Sequence, residues 1–313
     1  MVAGPLGSED RRICKMEAST LPRVSVVTPS FNQAKYLRAT LESVLGQNYP
    51  NLEYFVLDGG SQDGSREIIV ANQHRLAHWR SCPDRGQAAA INEGFSRATG
   101  DIFGWLNSDD LYCPGTLGAV AQLLGSEIKE PVVCYGGCEL FWDKTNRREI
   151  RSAIPFDRVK LQIVDFLDQP SVFWTSPAWE KVGPLDEDLR YGFDWDWFLR
   201  ASRACRFIQI DKLLSRYRIH KEHKSTTGGK DRWNELMKVV ERHSTPEVLR
   251  HYEFLAGHPA AQWWLNKRMR VQQKLQALPF SLSNLFADLL SPPFWLLPKG
   301  IQRETLWLIA GIR

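Results

Sequence analysis

The chain has 313 residues, of which 43% are hydrophobic and 24% charged, with a formal net charge of +4. Those proportions describe an ordinary globular protein, and so small a charge leaves no electrostatic footprint for nucleic acid. No apolar stretch approaches the roughly 18–20 residues that span a bilayer, residues 1–20 lack the apolar core of a signal peptide, and the six cysteines show no paired metal-type spacing, so they read as reduced thiols of a cytoplasmic protein.

The first twenty residues include GPLGS at Gly4–Ser8, which reads as the remnant of an expression tag and stands outside the fold. VSVVTPS (24–30) is rich in β-branched residues and stops at Pro29, as a buried strand does. In the next segment Leu37, Leu41, Val44 and Leu45 share one helical face. LEYFVLDGGSQDGS is a strand running into a glycine-rich turn. A helix from about Ser65, a short strand at His78–Ser81 and a helix over QAAAINEGFSRA follow, and then DIFGWLNSDD, a strand ending on Asp109 and Asp110. Strands alternating with helices predict an α/β fold, a mostly parallel central sheet flanked by helices. Three polar clusters, Thr28–Asn32, Asp58–Ser65 and Asn107–Asp110, fall at strand carboxyl ends, where such sheets bind ligands.

Beyond residue 130 the rhythm loosens. PVVCYGGCELFW reads as a strand pair, DWDWFLRASRA as an aromatic helix, and FIQIDKLLSRYRIH as one or two strands ending at His220. From Glu235 the chain reads as helical, interrupted at 257–259 and 291–293. The expected organisation is a tail over 1–20, a catalytic domain over 21–232 and a helical C-terminal extension over 233–313.

Common nucleotide fingerprints are missing: no GxGxxG follows the first strand, and no GxxxxGK[ST] occurs, which argues against hydride transfer and P-loop chemistry. Asp109 beside Asp110, directly after an apolar run, needs explaining. Adjacent carboxylates near a core repel each other unless a cation or a proton sits between them. A solvated turn is the plain reading and a divalent-metal site the sharper one.

Seven elements in order, PSFN (29–32), DGGSQDGS (58–65), DRGQAAAINEG (84–94), WLNSDD (105–110), QPSVFW (169–174), GFDWDWFLR (192–200) and RIHKEHKS (218–225), resemble the family 2 inverting glycosyltransferases with the GT-A fold. The resemblance covers about Pro22 to Ser225. It implies a nucleoside diphosphate sugar donor, a UDP-sugar first, and a divalent metal, Mn²⁺ or Mg²⁺. It also implies a glycan or lipid-linked saccharide acceptor.

By the same resemblance, Pro29, Phe31 and Asn32 pack beside the base, and Asp58 accepts its imide N–H. Gly60 lets the backbone approach the donor, and Asp84, Asn92, Asn107 and Ser108 complete the nucleotide site. Asp109 and His220 are the implied metal ligands, with Arg218, Lys221 and Lys224 as phosphate contacts. Asp194 is the implied general base, with Asp196 as a competitor. The chain departs from the family pattern at Asn107 and Phe193, where relatives carry carboxylates, and a catalytically inactive nucleotide-sugar-binding scaffold is the alternative. From Arg206 to Arg232 there are eight Lys or Arg against three Asp or Glu, without the interleaved aromatics of a nucleic-acid platform. Trp263–Trp264, the basic run 267–270 and the apolar face of Ile301, Thr305, Leu308, Ile309 and Ile312 suit either packing on the core or an in-plane membrane contact.

Overall fold

The computed structural model describes residues 21–143, 145–220, 224, 228–259, 261, 297, 300–302, 305, 306 and 309. Its strands are β1 (Val24–Ser30), β2 (Leu52–Asp58), β3 (His78–Ser81), β4 (Ile102–Trp105), β5 (Leu111–Tyr112), β6 (Val132–Trp142), β7 (Arg148–Arg151), β8 (Val172–Thr175) and β9 (Arg206–Ile219). The helices are α1 (Ala34–Leu45), α2 (Ser65–Asn72), α3 (Gln87–Arg97), α4 (Thr116–Leu124), α5 (Arg158–Ile163), α6 (Ser176–Val182), α7 (Phe193–Ala204), α8 (Gly229–His243) and α9 (Pro246–Gly257).

One sheet runs in the order β3-β2-β1-β4-β8-β6-β9-β5, with β7 on β6. The expected parallel pairing holds from β3 to β4. Beyond β4 the sheet is mixed, because β8 runs antiparallel to both β4 and β6 while β9 runs parallel to β6. PVVCYGGCELFW, expected as a strand pair, is the single long strand β6, and its partner β7 comes from the next segment.

Alternate residues of the parallel strands enter two different cores. Val24, Val26, Tyr54 and Val56 meet Leu37, Leu41 and Val44 of α1 on one face. Val27, Phe55 and Leu57 meet Ala90, Ile91 and Phe95 of α3 on the other. A strand buried on both faces favours apolar residues on both, which is why β1 and β2 are mostly apolar, with Ser25 and Glu53 bonded to each other. Gly94 makes the α3 contact close: a Cβ there would lie 2.7 Å from the Val27 methyls.

The domain boundary expected at 232/233 falls inside α8. Val239 and Val240 of α8 and Val248 and Tyr252 of α9 belong to the same core as the catalytic half. Of the C-terminal segment, the described Ile301, Leu306 and Ile309 pack with Trp233, Phe254 and Leu255, which is the core-packing alternative for that apolar face. Trp263–Trp264 and 267–270 lie outside the described residues, as do the tail 1–20 and Lys221. Among the described residues no helix is long and apolar enough to cross a membrane.

Candidate active site

The parallel half of the sheet delivers the carboxyl ends of β1, β2 and β4 to one edge. The end of β9 and the head of α7 close the other side. Between them lies a cavity of about 870 Å³, lined by Pro29, Phe31, Gly60, Asp84, Asn107, Ser108, Asp109 and Asp194 among the predicted residues. Asn32, Asp58, Asn92 and His220 are not in its wall.

Asp58 is fully buried. Its Oδ2 accepts from Ser61 N at 2.9 Å, Gly60 N at 3.2 Å and Ser81 Oγ at 2.7 Å, and its Oδ1 accepts from Ser61 Oγ at 2.5 Å. With three donors on Oδ2 and one on Oδ1, Asp58 folds the loop after β2; its expected bond to a base imide stays a proposal, for which Oδ1 has a lone pair left. That loop turns at Gly60, whose φ of 85° is unfavourable for residues with a side chain.

Asn32 does related work. Its Oδ1 accepts from Gln62 N at 3.0 Å, and its own N–H donates to Ser61 Oγ. The carboxylate that does face the cavity here is Asp84, held by Gly86 N at 2.9 Å and Arg80 at 3.2 Å. Phe31 stands opposite, 61% exposed, an apolar ring open to a flat ligand.

Asn92, expected in the nucleotide site, is bonded to another loop. Its amide donates to the Leu185 carbonyl and Glu187 and accepts from Leu185 N at 2.9 Å, clamping α3 to the loop before α7.

At the end of β4, Asp109 Oδ2 lies 3.0 Å from His220 Nε2. Asp110 is buried, and its Oδ1 accepts from Arg218 N at 2.9 Å, while Arg218 Nε donates to the Asp109 carbonyl. Burial, and then the neighbouring Asp109, hold the Asp110 carboxyl well above the usual range. Asp110 thus ties β9 to β4 and sets His220, two residues on, beside Asp109. Among the described residues no group of three or more His, Cys, Asp or Glu is clustered as a metal cage. Asp109 on the wall, with His220 at 3.0 Å, nevertheless fits Mg²⁺ or Mn²⁺, which complete their shells with water and substrate phosphates.

At the opposite end, the head of α7 separates its two acids. Asp194 faces the cavity; its Oδ1 accepts from Trp195 N at 2.9 Å. Burial raises its carboxyl above the ordinary value, against the pull of the Trp195 N–H, Lys224 and Arg232. Asp196 points into the protein, where Arg200 binds it at 2.9 Å and His243 at 2.7 Å. Burial pushes the Asp196 carboxyl up, but His243 and Arg200 outweigh it and hold it below its usual value. Of the two competitors, only Asp194 can reach a bound molecule. Phe193 forms cavity wall beside Trp105, at 6.2 Å between ring centroids.

Three cavity residues were given no role by sequence reasoning or only a general one: Gln87, Gln169 and Lys224. Gln87 and Gln169 lie within the quoted segments DRGQAAAINEG and QPSVFW, but an uncharged amide gives no signal of chemistry by itself. Arg80 was also missed. It donates to the Asp58 and Cys82 carbonyls and pairs with Asp84 and Glu93, holding the base end of the cavity together.

Residues 25–170 match the family model described as "Glycosyl transferase family 2". An uncharacterized glycosyltransferase of Rickettsia typhi is 27% identical over 213 residues, 66% of this chain and 67% of that one. An uncharacterized glycosyltransferase of Mycobacterium tuberculosis is 28% identical over 267 residues, 82% of this chain and all of the relative. Among solved structures, a mannosyltransferase from Pyrobaculum calidifontis in complex with GDP-Man and Mn²⁺ superposes with a TM-score of 0.56 at 20% identity, covering 96% of this chain and 91% of that one. S. aureus TarS 1-349 in complex with UDP-GlcNAc gives a TM-score of 0.55 at 14% identity, over 84% of this chain and 83% of that one. The chain spans about half, 52%, of the longer TarS chain. At these identities the structural likeness shows the shared GT-A fold.

Proposed function

We propose that this chain, a glycosyltransferase carrying a family 2 domain, moves a sugar from a nucleoside diphosphate donor to an acceptor hydroxyl with inversion, using Asp194 as general base. The observation that carries this reading is that Asp194 and Asp109, the latter bonded to His220, line one cavity. A nucleoside diphosphate sugar has a flat base, a diphosphate and a reactive anomeric carbon in sequence. The cavity wall offers the Phe31 ring and Asp84 near Gly59, Asp109 with His220 behind it, and Asp194.

In the reaction the acceptor oxygen attacks the anomeric carbon, the bond from that carbon to the phosphate oxygen breaks, and the nucleoside diphosphate leaves with the electron pair. The acceptor proton passes to Asp194. A base in this position contributes about 10²–10⁴ in rate, and a carboxyl raised by burial is a stronger base than a solvated one. Asp109 and His220 would hold a divalent cation, which, when bound, offsets charge on the departing diphosphate. Trp105, Phe193 and Leu189 keep the cavity partly apolar, which limits the competing attack by water.

The scaffold alternative rested on Asn107 and Phe193. Neither change removes Asp194 or Asp109 from the cavity, so the enzymatic reading is the stronger. The acceptor we propose is a glycan or lipid-linked saccharide. Incubating the protein with UDP-, GDP-, dTDP- and CMP-sugars plus Mn²⁺, and measuring released nucleotide, tests the reading; no turnover with any donor, with or without saccharide acceptors, would count against it.

A further inference from the structure

Four side chains form one continuous hydrogen-bond chain across the cavity wall. Gln169 Nε2 donates to the Trp105 carbonyl at 2.9 Å. Asn107 Nδ2 donates to Gln169 Oε1 at 3.2 Å, and Gln87 Nε2 donates to Asn107 Oδ1 at 2.8 Å. Lys224 Nζ donates to Gln87 Oε1 at 2.8 Å.

The direction of this chain is fixed by its ends. A backbone carbonyl can only accept, and an ammonium can only donate. Every amide between them must therefore donate toward Trp105 and accept from the Lys224 side. Residue 107 is the central node and must do both. An aspartate there would present an acceptor to Gln169 Oε1, which is itself an acceptor. Aspartate at 107 would also crowd a third carboxylate against Asp109 and Asp110.

Lys224 is where the chain meets the chemistry. Its ammonium lies over the rings of Phe193 at 5.3 Å and Tyr191 at 5.7 Å, and its charge acts on Asp194. The other ionisable groups acting on this pair are Asp165 and Arg232 toward Asp194, and Arg190 and Glu235 toward Lys224, with Asp168 behind Asp165. Burial raises Asp165 well above the usual carboxylate range, with Asp194 adding to the effect. Lys224 and Arg232 are the cations that hold the Asp194 carboxyl down.

We infer that Asn107 is a positioning residue: the Gln87–Asn107–Gln169 amides are a one-way relay that holds the Lys224 ammonium over the Phe193 ring in the cavity that Asp194 lines, and an aspartate at 107 is incompatible with it. The departure at Asn107 is then not a lost metal ligand but a requirement of this cavity. The inference rests on the glycosyltransferase reading and deepens it.

The test is the pH dependence of kcat in Asn107→Asp, Gln87→Leu and Lys224→Met, each compared with wild type. Displacing the ammonium raises the Asp194 pKa, so the acid limb of kcat should move to higher pH in all three variants. In Asn107→Asp, kcat near neutral pH should fall roughly 10- to 100-fold, the scale of a misplaced catalytic geometry, with little change in donor KM. Gln87→Leu adds no charge, so its shift cannot come from a new carboxylate. In the Lys224→Met background, Asn107→Asp should cause no further shift of the acid limb. Wild-type kcat or better in Asn107→Asp, an unmoved acid limb in Gln87→Leu, or a full additional shift in the double variant would overturn the relay. A wild-type protein that turns over no donor would sink the glycosyltransferase reading instead.

Discussion

Asp109 and His220 stand 111 residues apart in the chain and 3.0 Å apart in the fold. What joins them is Asp110, whose buried carboxyl accepts the Arg218 N–H and so fixes the end of β9 against β4. One acid of the adjacent pair faces a ligand and the other builds the wall behind it. This division agrees with the Asp110 carboxyl being held well above the usual range by burial and then by Asp109.

The first expectation concerns the metal. Asp109→Ala and His220→Ala should each weaken Mn²⁺-dependent nucleotide binding by about 10-fold or more, or 1.4 kcal/mol, measured by calorimetry with and without the metal. Metal-free nucleotide binding should change little. Undiminished Mn²⁺ dependence in both variants would rule the pair out as ligands.

The second concerns pH. Asp194 must be ionised to accept a proton, and burial raises it, so the acid limb of kcat should lie above the ordinary carboxylate value of about 4. Lys224 carries a raised charge-loss tendency, since burial lowers its pKa to about 8. Activity should therefore fall again as pH rises through that value. In Lys224→Met the alkaline limb should disappear; its persistence would assign it to another group.

The third separates the two acids of α7. Asp196 is ionised between Arg200 and His243 at a pKa below its usual value. A carboxylate depressed in the folded state adds stability above its unfolded pKa and loses it as pH falls through the folded one. Asp196→Asn should cost about 1–3 kcal/mol of stability near neutral pH, with the loss shrinking in acid. Its kcat at a temperature where it is folded should stay close to wild type. A stable but inactive Asp196→Asn would make Asp196 the base.

The fourth concerns Asn92, which bridges α3 to the loop before α7. Asn92→Ala should lower thermal stability by about 1–3 kcal/mol, because it leaves backbone groups of Leu185 unpaired. Donor affinity should be nearly unchanged; a selective loss of donor binding would restore the direct nucleotide role expected from sequence.

The legibility of the sequence was uneven for physical reasons. Strand runs such as VSVVTPS announce themselves because β1 is buried on both faces, and the polar clusters at their ends mark the cavity edge. Asp194, Asp109 and Phe31, named from the family resemblance, all line the cavity; their roles there are proposals. For Asp58 and Asn92 the surroundings could not be read, because a polar residue at a strand end or helix face looks the same whether it faces a ligand or a loop. Only the partners tell, and Ser81 for Asp58 and Leu185 for Asn92 lie in other segments. The amide relay was invisible for the same reason: Gln87, Asn107 and Gln169 come from three separate segments. The mixed half of the sheet escaped because β6 and β9 pair across a long intervening stretch.

The central measurement is turnover by Asp194→Asn set against donor binding by the same variant. With the donor found for wild type, kcat should fall by about 10²-fold or more, the contribution of a general base, while the calorimetric Kd for the nucleotide in Mn²⁺ stays within a few-fold of wild type. Near-wild-type kcat in a folded Asp194→Asn protein would contradict the assignment of the base, and with it the reading of this cavity.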